Sequence, residues 1–255
     1  MARRVRLWRT CLNNRGTAAT VLDHLLPINV STFGGDIDHV FWLIFWIVGL
    51  WFIAAECILL YSVMRHRRKA GAVAAFWRGD TPRQLAWVLI PAFVVLCLDL
   101  GIDYAGASVW ERVKGNAPAS NIVVRVTAKQ FNWIFTYPGP DNKFGTADDV
   151  TSENDMHVPV GKVVHLELES PDVIHSFFVP NLRLKQDVVP GRTIRAWFEA
   201  TKAGTYEIAC SELCGFGHYS MQGNVIVQNQ AAYAAWVRET WPRSTAASSS
   251  ASSKN

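Results

Sequence analysis

The sequence predicts a two-helix transmembrane hairpin followed by an all-β Greek-key sandwich or barrel. Three observations lead there. Residues 40–64 and 85–98 are nearly free of charge and dense in large apolar side chains. Beyond Glu111 the chain instead alternates apolar and polar residues in short runs broken by turn signals. Half of the residues are hydrophobic and eleven are Trp, more than one ordinary soluble domain needs, and the excess is concentrated in the first half.

The run over 40–64, VFWLIFWIVGLWFIAAECILLYSVM, exceeds the ~20 residues that cross a hydrocarbon core. It ends at Arg65, Arg67, Arg68 and Lys69, the basic flank that membrane topology places at a cytoplasmic interface. The second apolar run continues past Asp99 and Asp103, giving a span of about 85–108 if those acids face protein or the interface. The connecting loop also holds Arg78 and Arg83, so the positive-inside rule puts it in the cytoplasm and the rest of the chain outside. Arg3, Arg4, Arg6, Arg9 and Arg15 argue the other way; residues 1–35 are set apart as an N-terminal extension, with no lipobox before Cys11 and no long apolar signal core before Leu25. The bases flank apolar segments and form no stripe with interleaved aromatics, so nucleic acid is excluded as a partner and membrane lipid is expected.

From Asn121 the period is two. Val124 and Val126 alternate with Arg125 and Thr127, Val164, Leu166 and Leu168 with His165, Glu167 and Glu169, and Ile194, Ala196 and Phe198 with Arg195, Trp197 and Glu199. Pro138-Gly139-Pro140-Asp141, Pro190-Gly191 and Ala203-Gly204 separate the strands. A short helix is expected near 231–240, followed by a disordered Ser/Ala tail. The units are therefore 1–35, the hairpin 36–112, a β domain 113–229, and the helix and tail 230–255.

The chemistry lies in Cys210-Ser-Glu-Leu-Cys214-Gly-Phe-Gly-His218-Tyr-Ser-Met221, entered from a strand over 205–209. Two thiols, an imidazole and a thioether suit copper or zinc, and the thioether favours copper. His175, in Val-Ile-His-Ser-Phe-Phe, is the candidate second imidazole. Singly, each has a plainer explanation: a disulfide for the two cysteines, a core side chain for Met221 or His175. The joint pattern and the glycines flanking Phe216 favour a ligand loop.

CSELCGFGHYSM resembles the binuclear copper (CuA) loop of cytochrome c oxidase subunit II, as do VIHSFFVPNLRLKQDVVPGR and QFNWIFTYPGPD upstream. The likeness covers about 30–228. It implies a cupredoxin-like sandwich in which Cys210 and Cys214 bridge two coppers. His175 and Met221 would complete one copper, and His218 and the Glu212 carbonyl the other. It also implies a magnesium ion on the Glu212 carboxylate, shared with subunit I. The partners implied are subunit I, further oxidase subunits and a cytochrome c-type donor. Electrons would pass to haem in subunit I for oxygen reduction and proton pumping. The location implied is a bacterial-type plasma (inner) membrane, multi-pass, with the copper domain periplasmic.

The chain departs from that family's pattern in several places. Gln130-Phe131 stands where relatives carry Gln-Trp, so Phe131 and Trp133 are the candidate points of electron entry, with Asp141, Asp148, Asp149, Glu153 and Asp155 as acids to steer a basic donor. Gln84 precedes Trp87 where relatives carry a Glu at a proton channel, and Glu56 sits within the first span. The 141–149 loop has calcium-like acid spacing but no EF-hand pattern, and competes with a solvated turn. Among rivals, a quinol oxidase subunit would lack the copper ligands. A membrane-tethered copper chaperone would more often show a thioredoxin-like pattern, and a nitrous oxide reductase needs a catalytic domain for which there is no room. No Cys-x-x-Cys-His occurs, so the donor is a separate protein.

Overall fold

The computed structural model describes residues 25–71, 73, 76 and 78–241. The basic cluster of the first fifteen residues and the Ser/Ala tail lie outside the described residues.

Helix α1 (Gly34–Arg65) and helix α2 (Pro82–Trp110) are each long and apolar enough to cross a membrane, both with a mean hydropathy of 2.4. Both start earlier than expected. The polar turn Gly34-Gly35-Asp36-Ile37-Asp38-His39 continues α1 above the apolar run. Thr81 caps α2, its hydroxyl accepting the Gln84 N–H, with Pro82 preset for the first helical position. Gln84 also accepts a hydrogen bond from Gly79 N at 2.8 Å, so this side chain closes the turn into the helix. Glu56, Asp99 and Asp103 lie on exposed helix surface, and no residue of α2 is buried.

Ten strands follow: β1 (Ile122–Lys129), β2 (Asn132–Tyr137), β3 (Val150–Glu153), β4 (Asp155–Pro159), β5 (Val163–Glu169), β6 (His175–Val179), β7 (Leu184–Val188), β8 (Ile194–Glu199), β9 (Gly204–Cys210) and β10 (Gln222–Gln228). They form two five-stranded sheets, ordered β3-β2-β1-β5-β8 and β4-β10-β9-β6-β7. β1 with β5, and β4 with β10, pair in parallel because the chain repeatedly crosses between sheets; the other pairs are antiparallel. Helix α3 (Gln230–Thr240) closes the described chain, its first turn capped by Asn229.

The expected alternation sets the core. Val124, Val126, Val164, Leu166, Leu168 and Phe198 are fully buried between the sheets, each contributing about 1.5–3 kcal/mol. Trp197, expected on the outward face, is buried too. Phe33 packs edge-on against it at 5.1 Å, and its indole N–H donates to Val113 O at 2.8 Å. The segment before α1 thus straps the outer face of β8: Ser31 bridges Ala200, and Val30 O accepts the Thr201 N–H at 2.8 Å.

Candidate metal centre

β9 ends at Cys210 and β10 begins just after Met221, so residues 211–221 close a hairpin between antiparallel neighbours. Cys210 N–H donates to Met221 O at 3.2 Å and draws the neck shut. Inside it, Gly215 takes φ 140, a conformation nearly barred to other residues, and His218–Ser220 makes one tight helical turn. β6 supplies the remaining side. Phe177 pairs with Cys210, and Ser176 O accepts the Ser211 N–H at 3.0 Å, which sets His175 against the loop.

The resulting cluster is compact. The Cys210 and Cys214 sulfurs are 3.8 Å apart, far beyond the ~2.05 Å of a disulfide, so both are free thiols. His175 Nδ1 lies 3.8 Å from Cys210 Sγ, and Glu212 O lies 3.3 Å from the same sulfur. His218 Nδ1 lies 3.6 Å and Met221 Sδ 3.8 Å from Cys214 Sγ. All six expected copper donors therefore meet at one place. His175 and Met221 are buried almost completely, Cys214 and Cys210 nearly so, and His218 is half-buried. Among the described residues, His175, Cys210 and Cys214 form a group able to hold a metal ion, their ligand atoms all within 4.8 Å. Metal–sulfur bonds of ~2.3 Å, as zinc forms, let one ion touch both sulfurs across that gap. Two thiolates, two imidazoles, a thioether and a carbonyl are a soft set that fits copper better than zinc.

Burial, then the neighbouring Cys210, push the Cys214 thiol up to about 11. A cation bound there therefore displaces a proton.

Two positioning residues escaped the sequence reading. Asp172 Oδ1 lies 2.9 Å from His175 Nε2. Burial works to raise this carboxyl, but hydrogen bonds from Gln130 N–H, the His175 ring, Val173 N–H and the Ser170 hydroxyl outweigh it and hold it at about 2. With Nε2 donating to a carboxylate, Nδ1 is left as the lone-pair nitrogen facing Cys210. Gln130 completes the link. Its N–H donates to Asp172 at 2.8 Å and its side-chain amide to Cys214 O at 2.6 Å, tying both halves of the cluster together. A carboxylate three residues before His175 was the available signal.

The aromatics separate. Phe131 lies on the ligand loop, where a Cβ on Gly217 would stand 2.5 Å from its ring, and it reaches the surface. Trp133 does not: it is fully buried, edge-on to Phe177 at 5.3 Å and to His175 at 6.3 Å. Inward positions of β2 fall at 133, 135 and 137, so Trp133 belongs to the core and an entry point at the surface cannot include it. Around the loop, Leu213, Phe216 and Tyr219 are exposed.

Two other expectations find different surroundings. The Glu212 carboxylate is half-exposed and 3.4 Å from Lys185 Nζ. The acids of the 141–149 loop close their own turn, Asp149 accepting from Gly145 N and Asp141 from Lys143 N. This loop follows the end of β2 remote from Phe131, about 20 Å away at ~3.3 Å per residue, whereas Glu153 pairs back toward the near end.

A family model described as cytochrome C oxidase subunit II, periplasmic domain, matches residues 122–229. The chain is 33% identical to the alternative cytochrome c oxidase subunit 2 of Bradyrhizobium diazoefficiens, over 82% of this chain and 82% of that protein. It is 32% identical to the cytochrome c oxidase subunit 2 of Thermostichus vulcanus, over 87% of this chain and 80% of that one. Among solved structures, the periplasmic domain of subunit II of cytochrome oxidase of Bradyrhizobium japonicum is similar at 31% identity and a TM-score of 0.44, covering 49% of this chain and 96% of that chain.

Proposed function

Because the chain belongs to the cytochrome c oxidase subunit II family, we propose that its β-sandwich holds two copper ions and receives electrons singly from an external cytochrome c-type donor. The observation that carries this reading is the pair of free thiols 3.8 Å apart, ringed by two imidazole nitrogens, a thioether and a carbonyl. When bound, the copper pair supplies a one-electron carrier with little rearrangement of its bonds. The chain's own residues do the rest. Cys210 and Cys214 would bridge the two ions, with His175 and Met221 completing the donor set of one and His218 and the Glu212 carbonyl that of the other. The sheets and the closed neck of the loop hold these donors rigidly, and burial of His175, Cys214 and Met221 keeps water from them.

In this reading the exposed Leu213, Phe216, Tyr219 and Phe131 would meet the donor, and the electron would pass on to haem in subunit I, where oxygen would be reduced and protons pumped. The helices α1 and α2 anchor the chain in a bacterial-type inner membrane, with the sandwich outside and the Arg-rich loop inside. The Glu212 carboxylate, 3.4 Å from Lys185 Nζ, would hold a magnesium ion shared with subunit I. Copper titration of the purified chain tests the reading: two equivalents bind tightly to the wild type and none binds tightly to Cys210→Ser/Cys214→Ser. One equivalent in the wild type refutes it.

A further inference from the structure

The sandwich meets the membrane hairpin and its continuation at several points, Trp197 on Val113 O and Lys114 on Gln186 among them, and one further contact is made by an unusual residue. Arg183 follows the turn Pro180–Leu182 after β6 and takes φ 53, a left-handed conformation disfavoured for any residue with a Cβ. Its side chain explains the exception. Nε donates to Asp38 Oδ1 at 2.6 Å and Nη2 to Asp38 Oδ2 at 3.1 Å, a two-pronged pairing to the early turns of α1. Nη1 donates to Pro180 O and Nη2 also to Pro27 O, each at 2.6 Å. The Arg183 side chain is only 10% exposed, so this pair is shielded as surface pairs are not.

The strap joins the same place: Val30 N–H donates to Asn181 O, and the Asn181 amide to Ile28 O, both at 2.9 Å. On the other side of the helix start, Asp36 pairs with Arg112 beyond the end of α2. The two acids at the N-terminal end of α1, where the helix dipole favours negative charge, thus engage one Arg of the sandwich and one in the turn Glu111–Gly115 that continues α2. From Arg183 the chain runs back through the turn Pro180–Leu182 and β6 to His175 without an intervening loop.

We propose that the Arg183–Asp38 pair is the latch that fixes the orientation of the metal-bearing sandwich on the membrane hairpin. Resting on the proposed function, the latch also fixes the gap between the ligand loop and the electron acceptor in the membrane partner. Arg183 is a positioning residue, remote from the metal donors.

The test uses the full chain in lipid nanodiscs, with nitroxides attached through keto amino acids at the exposed Glu207 and Leu60. Wild type gives a single narrow distance. Arg183→Gly relieves the left-handed backbone while removing the guanidinium, so a broadened or shifted distance in it reports the lost latch and not a strained turn. Asp38→Asn gives the same change with the Arg183 backbone untouched. An unaltered narrow distance in both variants overturns the proposal. In the assembled oxidase, Arg183→Gly slows electron transfer out of the metal centre while its spectrum is retained; an unchanged rate with a broadened distance overturns the link to transfer. The distance measurement needs no copper, so a failed copper titration leaves this result readable.

Discussion

Asp172 holds the ring of His175 through a 2.9 Å contact to Nε2, and that contact decides which nitrogen faces Cys210. Asp172→Ala removes the partner but leaves the ring buried under Trp133. Loss of such an outer partner weakens metal binding by roughly 10–100-fold. Competition titration against a copper chelator measures it, and wild-type affinity in Asp172→Ala would show that packing alone orients the ring.

Phe131 and Gly217 are fitted to one another. A methyl on Gly217 would lie 2.5 Å from the Phe131 ring, closer than carbon atoms approach. Gly217→Ala therefore destabilises by about 1–3 kcal/mol, and Phe131→Ala in the same chain recovers most of that loss. Thermal unfolding of the four members of the cycle gives the coupling; strictly additive changes would mean that the loop and the aromatic move independently.

Asn154 clasps the two sheets beside the site. At φ 62 its side chain accepts the Trp133 N–H at 2.9 Å, its N–H donates to Trp133 O at 2.8 Å, and its carbonyl accepts the Asn224 N–H at 2.7 Å. Asn154→Gly keeps the backbone conformation and loses one hydrogen bond, about 0.5–1.5 kcal/mol, whereas Asn154→Ala adds left-handed strain. Denaturant unfolding should rank wild type above Gly and Gly above Ala; Ala equal to Gly would show that the positive φ is not enforced.

The ligand string was legible because four of its side chains lie within residues 210–221 and need only a closed hairpin to meet. His175 was legible as a candidate beside the loop, and β6 does lie next to β9, with Phe177 paired to Cys210. What escaped depends on contacts distant in sequence. Trp197 reads as outward by period, and only Phe33 and Val113 make it buried. Asp172 and Asn154 act through side-chain bonds to strands far along the chain, which no local pattern announces. The burial of Trp133 was harder to read, since Ile134 interrupts the apolar–polar alternation of 133, 135 and 137 with Asn132 and Thr136.

Donor capture is expected to depend on the apolar rim of the loop more than on the acids at the far end of β2. Those acids lie about 20 Å from Phe131, beyond the ~8 Å Debye length at physiological salt. Neutralising Asp141, Asp148 and Asp149 should change the association rate less than twofold, about 0.4 kcal/mol, while Phe216→Ala with Tyr219→Ala lowers it several-fold. Phe131→Ala should slow electron transfer within the bound complex and leave binding intact. Stopped-flow reduction as a function of donor concentration separates these effects; a dominant effect of the distant acids would relocate the docking surface.

The central claim is that Cys210 and Cys214, 3.8 Å apart, share two coppers and not one. Electron paramagnetic resonance of the copper-loaded protein tests it most directly. One unpaired electron spread equally over two copper nuclei gives a seven-line hyperfine pattern, and Met221→Leu should retain it, because a thioether is the weakest ligand of the set. A four-line pattern from a single copper in the wild type would contradict the account.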